Sequence, residues 1–455
     1  MAKTTVSVVF GDYEFTSEDI REASVVEEFD PMAITLPIST CDLLLYTEDA
    51  DFSIMNPFRK FLNFRKKQPL SIYEIINGKK ELIGLYFLDA WENTSTTLVE
   101  LRCVDQIGLL DMLPYDGGIW LTPISVSELI GQFSVDTGIQ FQIDPDIENE
   151  QITGWIPICT YREALQQICF AIGAYALTPR QAGFIKIARL ASEHGVVTQG
   201  IRSGIAKTGQ LRVWQRRWRP AQWELTREAY RFDASQIGIG SPITQRPFVS
   251  GIEVTAHNYS LGDEEKDLFD GVLPVGTHKI VFSEPMHSLN VSGGTIDESG
   301  ANHAFVTVAI EGNVSLTGKV YVVSKNLFSK YIAGNGNDDK ESIPTIKDAT
   351  LVNNVNAAEV AKRIFDYYQI RLEKRMKLFA PEAAVGDEVF ITVENDQEIR
   401  GYIERMEVNL AGGFIAETVV SGDVLILSRD RYAGVCATGQ SNVLQYRFRS
   451  GIDNQ

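Results

Sequence analysis

The chain contains 455 residues, of which 44% are hydrophobic and 22% charged, and its formal net charge is −18. This length predicts two or three domains that bury cores of their own, so folding requires neither a metal nor a disulfide. The acidic balance argues against general binding to nucleic acid or to anionic membranes. Five dispersed cysteines exclude a disulfide scaffold, and the lack of a long apolar run predicts no membrane span.

Residues 1–120 have the pattern of an antiparallel β-domain, either a small barrel or a curved sheet. Ile34, Leu36 and Ile38 alternate with other residues, which is the spacing of a half-buried strand. The pair Asn77–Gly78 lies between two strand-like runs and favours a two-residue hairpin turn.

Residues 121–200 change to helices that alternate with short strands, and they predict a small α/β insert. Ser125 and Glu128 have the spacing of a capping box, in which two side chains satisfy backbone N–H groups of the first helical turn. Gly138 follows the apolar stripe of this helix, at a position where glycine commonly ends helices.

A second segment of the insert, "CTYREALQQICF", combines residue types that also occur in active sites. Thr160 and Glu163 repeat the capping-box spacing, and apolar residues recur behind them every three or four positions. This pattern favours the framework of a helix that ends at Gly173, with Cys169 as a core thiol. Catalysis is the alternative, but no histidine lies near Cys159 or Cys169 in the sequence.

Residues 201–250 predict a connecting segment that returns to β structure. Between residues 205 and 231 the sequence contains one lysine and six arginines but only two glutamates, although the chain as a whole is acidic. Arginines interleaved with tryptophans occur in sites for single-stranded nucleic acid, and they are also enriched at the centres of protein–protein contacts. The acidity of the chain favours a protein partner. The candidate interface residues are Trp214, Arg216, Arg217, Trp218 and Trp223.

Residues 251–350 predict a β-rich domain. Strand-like runs and glycine-rich turns alternate through most of it. The acidic run from Asp263 to Asp270 is the exception, and it is interpreted as a solvated loop.

Residues 351–427 predict a helix and then three strands. Asn356 is the expected N-cap, and Leu372 is expected on the buried stripe of the helix. Turns are predicted at residues 394–397 and 412–413, and an extended polar arm at residues 428–455.

The sequence contains no motif that specifies catalysis or cofactor binding. The five histidines form no close ligand pair, and no P-loop, nucleophile elbow or dinucleotide-binding fingerprint is present. We therefore predict no catalytic, cofactor-binding or metal-binding residues, no cofactor, and a structural rather than enzymatic role.

The order of several segments resembles the baseplate hub, or tail-tip hub, of bacteriophages and related contractile injection systems. The likeness covers most of residues 30–190 and 350–420. The matching stretches are "LIGLYFLDAWENTSTTLVELRCVDQIGLLD", "ISVSELIGQFSVDTGI", "ITGWIPICTYREALQQICFAIGAYALTPRQAGFIKI" and "NAAEVAKRIFDYYQIR…VGDEVFI…IRGYIERMEVNLAGGFIAE".

This resemblance implies a mainly β, α+β fold with two tube-like β-barrel domains and an inserted small α/β domain. The first barrel would be residues 1–120, and residues 351–427 would complete the second. The resemblance also implies a homotrimer whose six tube-like domains line a channel and adapt a six-fold tail tube to a three-fold spike or fibre.

The implied partners are the tail tube or distal tail protein, the spike or tail-fibre protein, and the tape measure protein. No membrane is involved, and DNA is only transient cargo in the channel. The chain would be synthesised in the host cytoplasm and reside in the virion, at the baseplate or tail tip. Two other functions stay open: a tail-associated cell-wall hydrolase, and a receptor- or sugar-binding tail-tip protein.

Overall fold

The computed structural model describes residues 4–48, 52–53, 55–56, 64–76, 78–190, 230–232, 236–238, 241–332, 342–379, 383–393, 397–411 and 415–426. The helices are α1 (Gln106–Asp111), α2 (Val126–Thr137), α3 (Tyr161–Ile172) and α4 (Ala357–Tyr368). The strands are β1 (Thr4–Phe10), β2 (Tyr13–Thr16), β3 (Ile20–Glu28), β4 (Thr40–Tyr46), β5 (Pro69–Ile76), β6 (Lys79–Asn93), β7 (Leu98–Val104), β8 (Pro114–Tyr115), β9 (Gly118–Ser125), β10 (Gln140–Ile143), β11 (Gln151–Ile156), β12 (Cys159–Thr160), β13 (Tyr175–Leu177), β14 (Phe184–Ala188), β15 (Tyr230–Phe232), β16 (Ile243–Gln245), β17 (Gly251–Leu273), β18 (Gly276–Val281), β19 (Met286–Ser292), β20 (Thr295–Ser299), β21 (His303–Val308), β22 (Gly312–Tyr331), β23 (Thr345–Ile346), β24 (Leu372–Phe379), β25 (Glu388–Val393), β26 (Gln397–Asn409) and β27 (Ile415–Ile426).

The largest sheet contains thirteen strands and joins the two ends of the chain. Its order is β16-β24-β27-β26-β3-β4-β7-β6-β5-β1-β2, and β25 pairs with both β26 and β15. The halves meet where β3 pairs antiparallel with β26, with Val25 opposite Val408. One hydrophobic core contains buried residues from both halves, such as Leu43 and Ile403. The prediction of a mainly β protein is confirmed; these thirteen strands form one open sheet, and no closed barrel is present among the described strands.

The hairpins of this sheet lie where turn residues predicted them. Strands β5 and β6 pair up to Ile76 and Lys79, and Gly78 between them has a φ of 82°, which favours glycine. Strands β25, β26 and β27 follow one another as antiparallel neighbours; of the turns predicted at residues 394–397 and 412–413, every residue but Gln397, which begins β26, lies outside the described residues. Local turn chemistry therefore accounts for the register of the β5–β6 hairpin.

The segment between β3 and β4 is not a strand, so the strand prediction for Ile34, Leu36 and Ile38 is wrong. Side chains of α3 bind carbonyl groups that a neighbouring strand would otherwise bind. The amide of Gln166 donates to the carbonyl oxygen of Ile34 at 3.1 Å, and the guanidinium of Arg162 donates to that of Leu36 at 2.9 Å. The apolar side chains of the segment still pack on the helical core.

Helices α2 and α3 begin and end at the predicted residues. The hydroxyl of Ser125 accepts from the backbone N–H of Glu128 at 3.2 Å. At α3 the capping box is complete: the Thr160 hydroxyl accepts from the Glu163 N–H at 3.2 Å, and the Glu163 carboxylate accepts from the Thr160 N–H at 2.8 Å. Both helices end at a left-handed glycine, Gly138 (φ 71°) and Gly173 (φ 74°).

Removal of the α3 cap gives a first testable prediction. We expect Thr160→Ala to lower the free energy of unfolding by about 1 kcal/mol, because the N–H of Glu163 loses its acceptor. Urea unfolding followed by circular dichroism measures the change. Thr94→Ala is the matched control, because Thr94 is exposed in the turn after β6, and its effect should stay within about 0.5 kcal/mol. Equal losses in the two variants would contradict the capping role.

Asn356 occupies the predicted N-cap position of α4, but its side chain does not cap the helix. Its side chain makes no cap hydrogen bond and binds the preceding loop instead. The side-chain oxygen accepts from the Asn353 N–H at 2.8 Å, and the amide nitrogen donates to the Leu351 carbonyl at 3.3 Å. Asn356 therefore stabilises the loop that leads into the helix.

Helix α4 is also shorter than predicted. It ends at Tyr368, and Leu372 begins strand β24 instead of extending the buried stripe of the helix. Lys374, Met376 and Leu378 are buried on alternate positions, which is the period of a strand. Pairing with β27 along its whole length therefore overrides the helical propensity of this charged segment.

The helical module and α4 share one core. Buried residues of α2 and α3, such as Phe133 and Leu165, belong to the same cluster as Val254 of β17 and Ile364 of α4. A three-stranded sheet in the order β10-β14-β13 covers this core. The core therefore extends beyond residues 121–200 into elements near the middle and the end of the chain.

A long two-stranded ribbon formed by β17 and β22 dominates the region between residues 251 and 331. The acidic run from Asp263 to Asp270 lies within β17, so its interpretation as a loop is wrong. Two β-bulges interrupt the pairing with β22 at this run, after Leu261 and after Asp267. The bulges place additional acidic residues on an exposed strand, where a run of charges looks like a loop in the sequence.

Candidate functional site

A solvent-accessible cavity lies where the two halves of the large sheet meet. It has a volume of about 820 Å³ and is open to solvent. Its walls come from the end of β3, the loop that follows it, the segment before β17, the end of α4, and strands β24, β26 and β27. Segments from both ends of the chain therefore build this cleft.

An arginine-centred network forms the base of the cleft. The guanidinium of Arg246 donates to the carboxylate of Glu404, to the hydroxyl of Ser421 and, at 3.1 Å, to the hydroxyl of Tyr367. The Tyr367 hydroxyl in turn donates to Glu404 at 2.7 Å. Burial opposes the charge of Arg246, but Tyr367 and Glu404 outweigh it and raise the pKa of Arg246. The network therefore fixes the segment before β17 on the sheet.

The other carboxylates in the cleft also have cationic or backbone partners. Glu28 pairs with Arg405 at 3.0 Å, and Glu417 pairs with Lys377 at 2.8 Å. Asp30 accepts hydrogen bonds from the backbone N–H groups of Met32 and Thr35. Each of these carboxylates is therefore engaged in an ion pair or in hydrogen bonds to backbone N–H groups.

A buried ion pair connects the helical module to the large sheet. Arg180 lies in the loop before β14, and its guanidinium binds the carboxylate of Glu27 on β3 in bidentate geometry, at 2.6 and 2.7 Å. The Glu27 side chain is only 6% exposed. Burial disfavours the guanidinium charge, but Glu27 compensates, and the pKa of Arg180 is raised. The guanidinium also donates to the carbonyl of Ala383 at 3.3 Å.

A second buried carboxyl group lies at the start of α1. Asp105 is 2% exposed and caps the helix by accepting the backbone N–H of Gly108 at 2.9 Å. Its other oxygen has no hydrogen-bond partner among the described residues. Burial raises the pKa of Asp105 to about 6, against the opposing effect of the hydrogen bond from Gly108. Asp105 is therefore a titratable group within the fold.

The structure describes only some of the residues that the sequence analysis singled out. The five candidate interface residues, from Trp214 to Trp223, lie outside the described part of the chain. Cys169 is completely buried, and its burial raises the pKa of its thiol to about 12. Burial likewise raises the pKa of Cys159 to about 12. The burial of Cys169 in the helical core confirms its interpretation as a core thiol.

No group of three or more histidine, cysteine, aspartate or glutamate side chains is arranged to hold a metal ion in the described part of the chain. No helix within the described ranges is long and apolar enough to cross a bilayer.

The chain has the fold of phage tail proteins, and the resemblance is confirmed at this level. A tail protein from Neisseria meningitidis superposes with a TM-score of 0.50 and 10% identity, covering 92% of this chain and 97% of that protein. A 43 kDa tail protein of prophage MuSo2 from Shewanella oneidensis superposes with a TM-score of 0.47 and 10% identity, covering 91% of this chain and 98% of that protein. A prophage tail protein from Listeria monocytogenes superposes with a TM-score of 0.45 and 10% identity, covering 93% of this chain and 95% of that protein. No protein-family model and no curated protein matches the sequence.

Proposed function

We propose that the chain is a structural baseplate or tail-tip hub protein of a phage tail or a phage-tail-like particle. In this proposal three copies form a ring that lines the channel and adapts a six-fold tube to a three-fold spike or fibre. The shared fold with a tail protein over nearly the full length of both chains supports a role in the tail. The chain would then reside in the virion and act without catalysis.

The open edges of the large sheet carry the proposal. Among the described strands, β2 ends the sheet on one side and the short strand β16 on the other, while β15 ends the branch that β25 forms beside β26 on the β3 side. Open sheets rarely exceed about ten strands, and unpaired edges favour pairing with other chains. Copies arranged around an axis could cover the edge of one sheet with the edge of the next.

The two halves of the sheet are the proposed tube-like units. Residues 1–120 would supply one and residues 351–427 the other, so that three copies would present six units. Residues 121–200 and 251–350 would project from this ring, and residues 201–250 and 428–455 would serve as connecting segment and arm. The net charge of −18 suits a channel wall that must release phosphate-bearing cargo.

The proposed neighbours follow from this position in the particle. The ring would contact the tail tube or distal tail protein on one side and the spike or tail-fibre protein on the other, with the tape measure protein ending in the channel. Trp214, Arg216, Arg217, Trp218 and Trp223 remain candidates for one of these protein contacts.

A measurement of mass tests the proposed function. We expect the purified chain, alone or mixed with its tail tube protein, to have three times the 50.7 kDa mass of one chain by native mass spectrometry. Particles viewed down the axis should be rings with three-fold symmetry in electron micrographs. A chain that stays monomeric under both conditions would contradict the hub. Clearing of cell-wall material in a zymogram would instead support the hydrolase, and binding to host cells the receptor-binding protein.

A further inference from the structure

Strand β22 has a long edge without a partner strand. Strand β19 pairs with β22 only as far as Val320, whereas β22 continues to Tyr331 beside β17. From Val322 to Tyr331 no described strand occupies the side opposite β17. Because β22 pairs antiparallel with β17, the backbone donors and acceptors of alternate residues in this stretch are directed to the side without a partner strand.

Side chains along this edge are apolar and basic. Leu327 is 61% exposed and Val322 55% exposed, so this stretch presents large aliphatic side chains to solvent. Lys325 lies between them in the sequence and Lys330 follows Leu327; both lysines are exposed, and neither forms an ion pair with a carboxylate of the described residues. This combination of an apolar edge and uncompensated positive charge fits an acidic partner surface.

The same ribbon presents an acidic edge on its opposite side. From Ser260 onward β17 has β22 on one side and no described strand on the other, because β23 pairs only with Glu253 and Val254. This part of β17 carries Leu261, which is 64% exposed, and five carboxylates. The carboxylates are Asp263, Glu264, Glu265, Asp267 and Asp270. Asp263 pairs with Lys319 of β22 at 3.2 Å, and Lys266 in the same run pairs with Glu284 at 2.7 Å, so the other four carboxylates supply the negative charge of this edge.

We propose that the basic edge of β22 in one copy docks against the acidic edge of β17 in the next copy. The occupant is a second copy of this chain, because each copy carries both complementary edges. The two edges face opposite sides of one ribbon, so the contact is heterologous, and repeated heterologous contacts close into rings. This inference rests on the proposed function, since it identifies one contact between the subunits of the hub.

Charge reversal on β22 tests the contact. We expect the double variant Lys325→Glu, Lys330→Glu to weaken the assembly, because like charges then face each other. The concentration at which half of the assembly has dissociated should rise at least about tenfold. Mass photometry over a dilution series measures this value. The matched control, Lys66→Glu with Lys79→Glu, changes the net charge equally at exposed sites on the large sheet and should leave the value unchanged.

A reciprocal exchange identifies the partner edge. Glu264→Lys with Asp267→Lys should weaken the assembly alone and restore it when combined with the two β22 substitutions in one chain. Thermal unfolding of every variant verifies the fold. Failure of the four-substitution chain to recover would overturn the assignment of the β17 edge.

The outcomes separate this inference from the proposed function. A monomeric wild-type chain would overturn the hub itself. A wild-type trimer that the β22 substitutions leave intact would overturn only the docking of the two edges. An unbounded series of larger assemblies that the β22 substitutions abolish would support the edge contact and overturn the closed ring.

Discussion

Replacing Arg180 by alanine is expected to lower the free energy of unfolding by about 3–5 kcal/mol, because it leaves the charge of Glu27 buried without a partner. The two side chains form a bidentate pair at 2.6 and 2.7 Å, and Glu27 is only 6% exposed. Urea unfolding monitored by tryptophan fluorescence and by circular dichroism measures the loss. A variant that unfolds in two steps would show that this contact holds the helical module on the sheet.

Two comparisons make this prediction specific. Arg102→Ala removes an arginine whose side chain is 54% exposed beside Glu100, and it should cost less than about 1 kcal/mol. Arg180→Met combined with Glu27→Leu removes both charges while keeping their volume, and it should recover most of the stability lost in Arg180→Ala. A small loss in Arg180→Ala, similar to that of Arg102→Ala, would contradict the structural role of the pair.

Local features of the sequence predicted much of the secondary structure. The capping box of Thr160 and Glu163 and the hairpin at Gly78 formed as expected, because both depend on residues only a few positions apart. The errors lie where distant segments compete with local preference. Leu372 joined a strand because β27 lies beside it, and Leu36 lost its strand because Arg162 of α3 binds its carbonyl.

The cleft and the buried ion pair could not be predicted for a related reason. Arg180 and Glu27 are 153 positions apart, and Arg246 and Glu404 are 158 positions apart. Nothing in a single sequence distinguishes these arginines from exposed ones, since the pairing depends on how β3 meets β26. Sequence order therefore indicated the type of protein, while the residues that hold its halves together required the three-dimensional structure.

The ionisation of Asp105 is expected to make the fold less stable as the pH rises from 4 to 7. Its pKa in the folded protein is about 6, raised by burial from 3.8, so the folded chain binds this proton more tightly than the unfolded chain. The stabilisation is complete below about pH 4 and is lost as the pH passes through 6, a change of about 3 kcal/mol from this one group. Asp105→Asn cannot ionise, and its side-chain oxygen can still accept the Gly108 N–H.

The difference in unfolding free energy between Asp105→Asn and the wild-type chain isolates this group from all other titrations. We expect the difference to shift in favour of Asp105→Asn as the pH rises, mostly between pH 4 and 6 with its midpoint near pH 5, in urea unfolding at half-unit pH intervals. Asp89→Asn, which removes an exposed carboxylate beside Lys66, should change the stability by less than about 1 kcal/mol at any pH. A difference for Asp105→Asn that is constant between pH 4 and 7 would show that the buried carboxyl group does not titrate in this range. In that case burial alone does not control the charge at the start of α1.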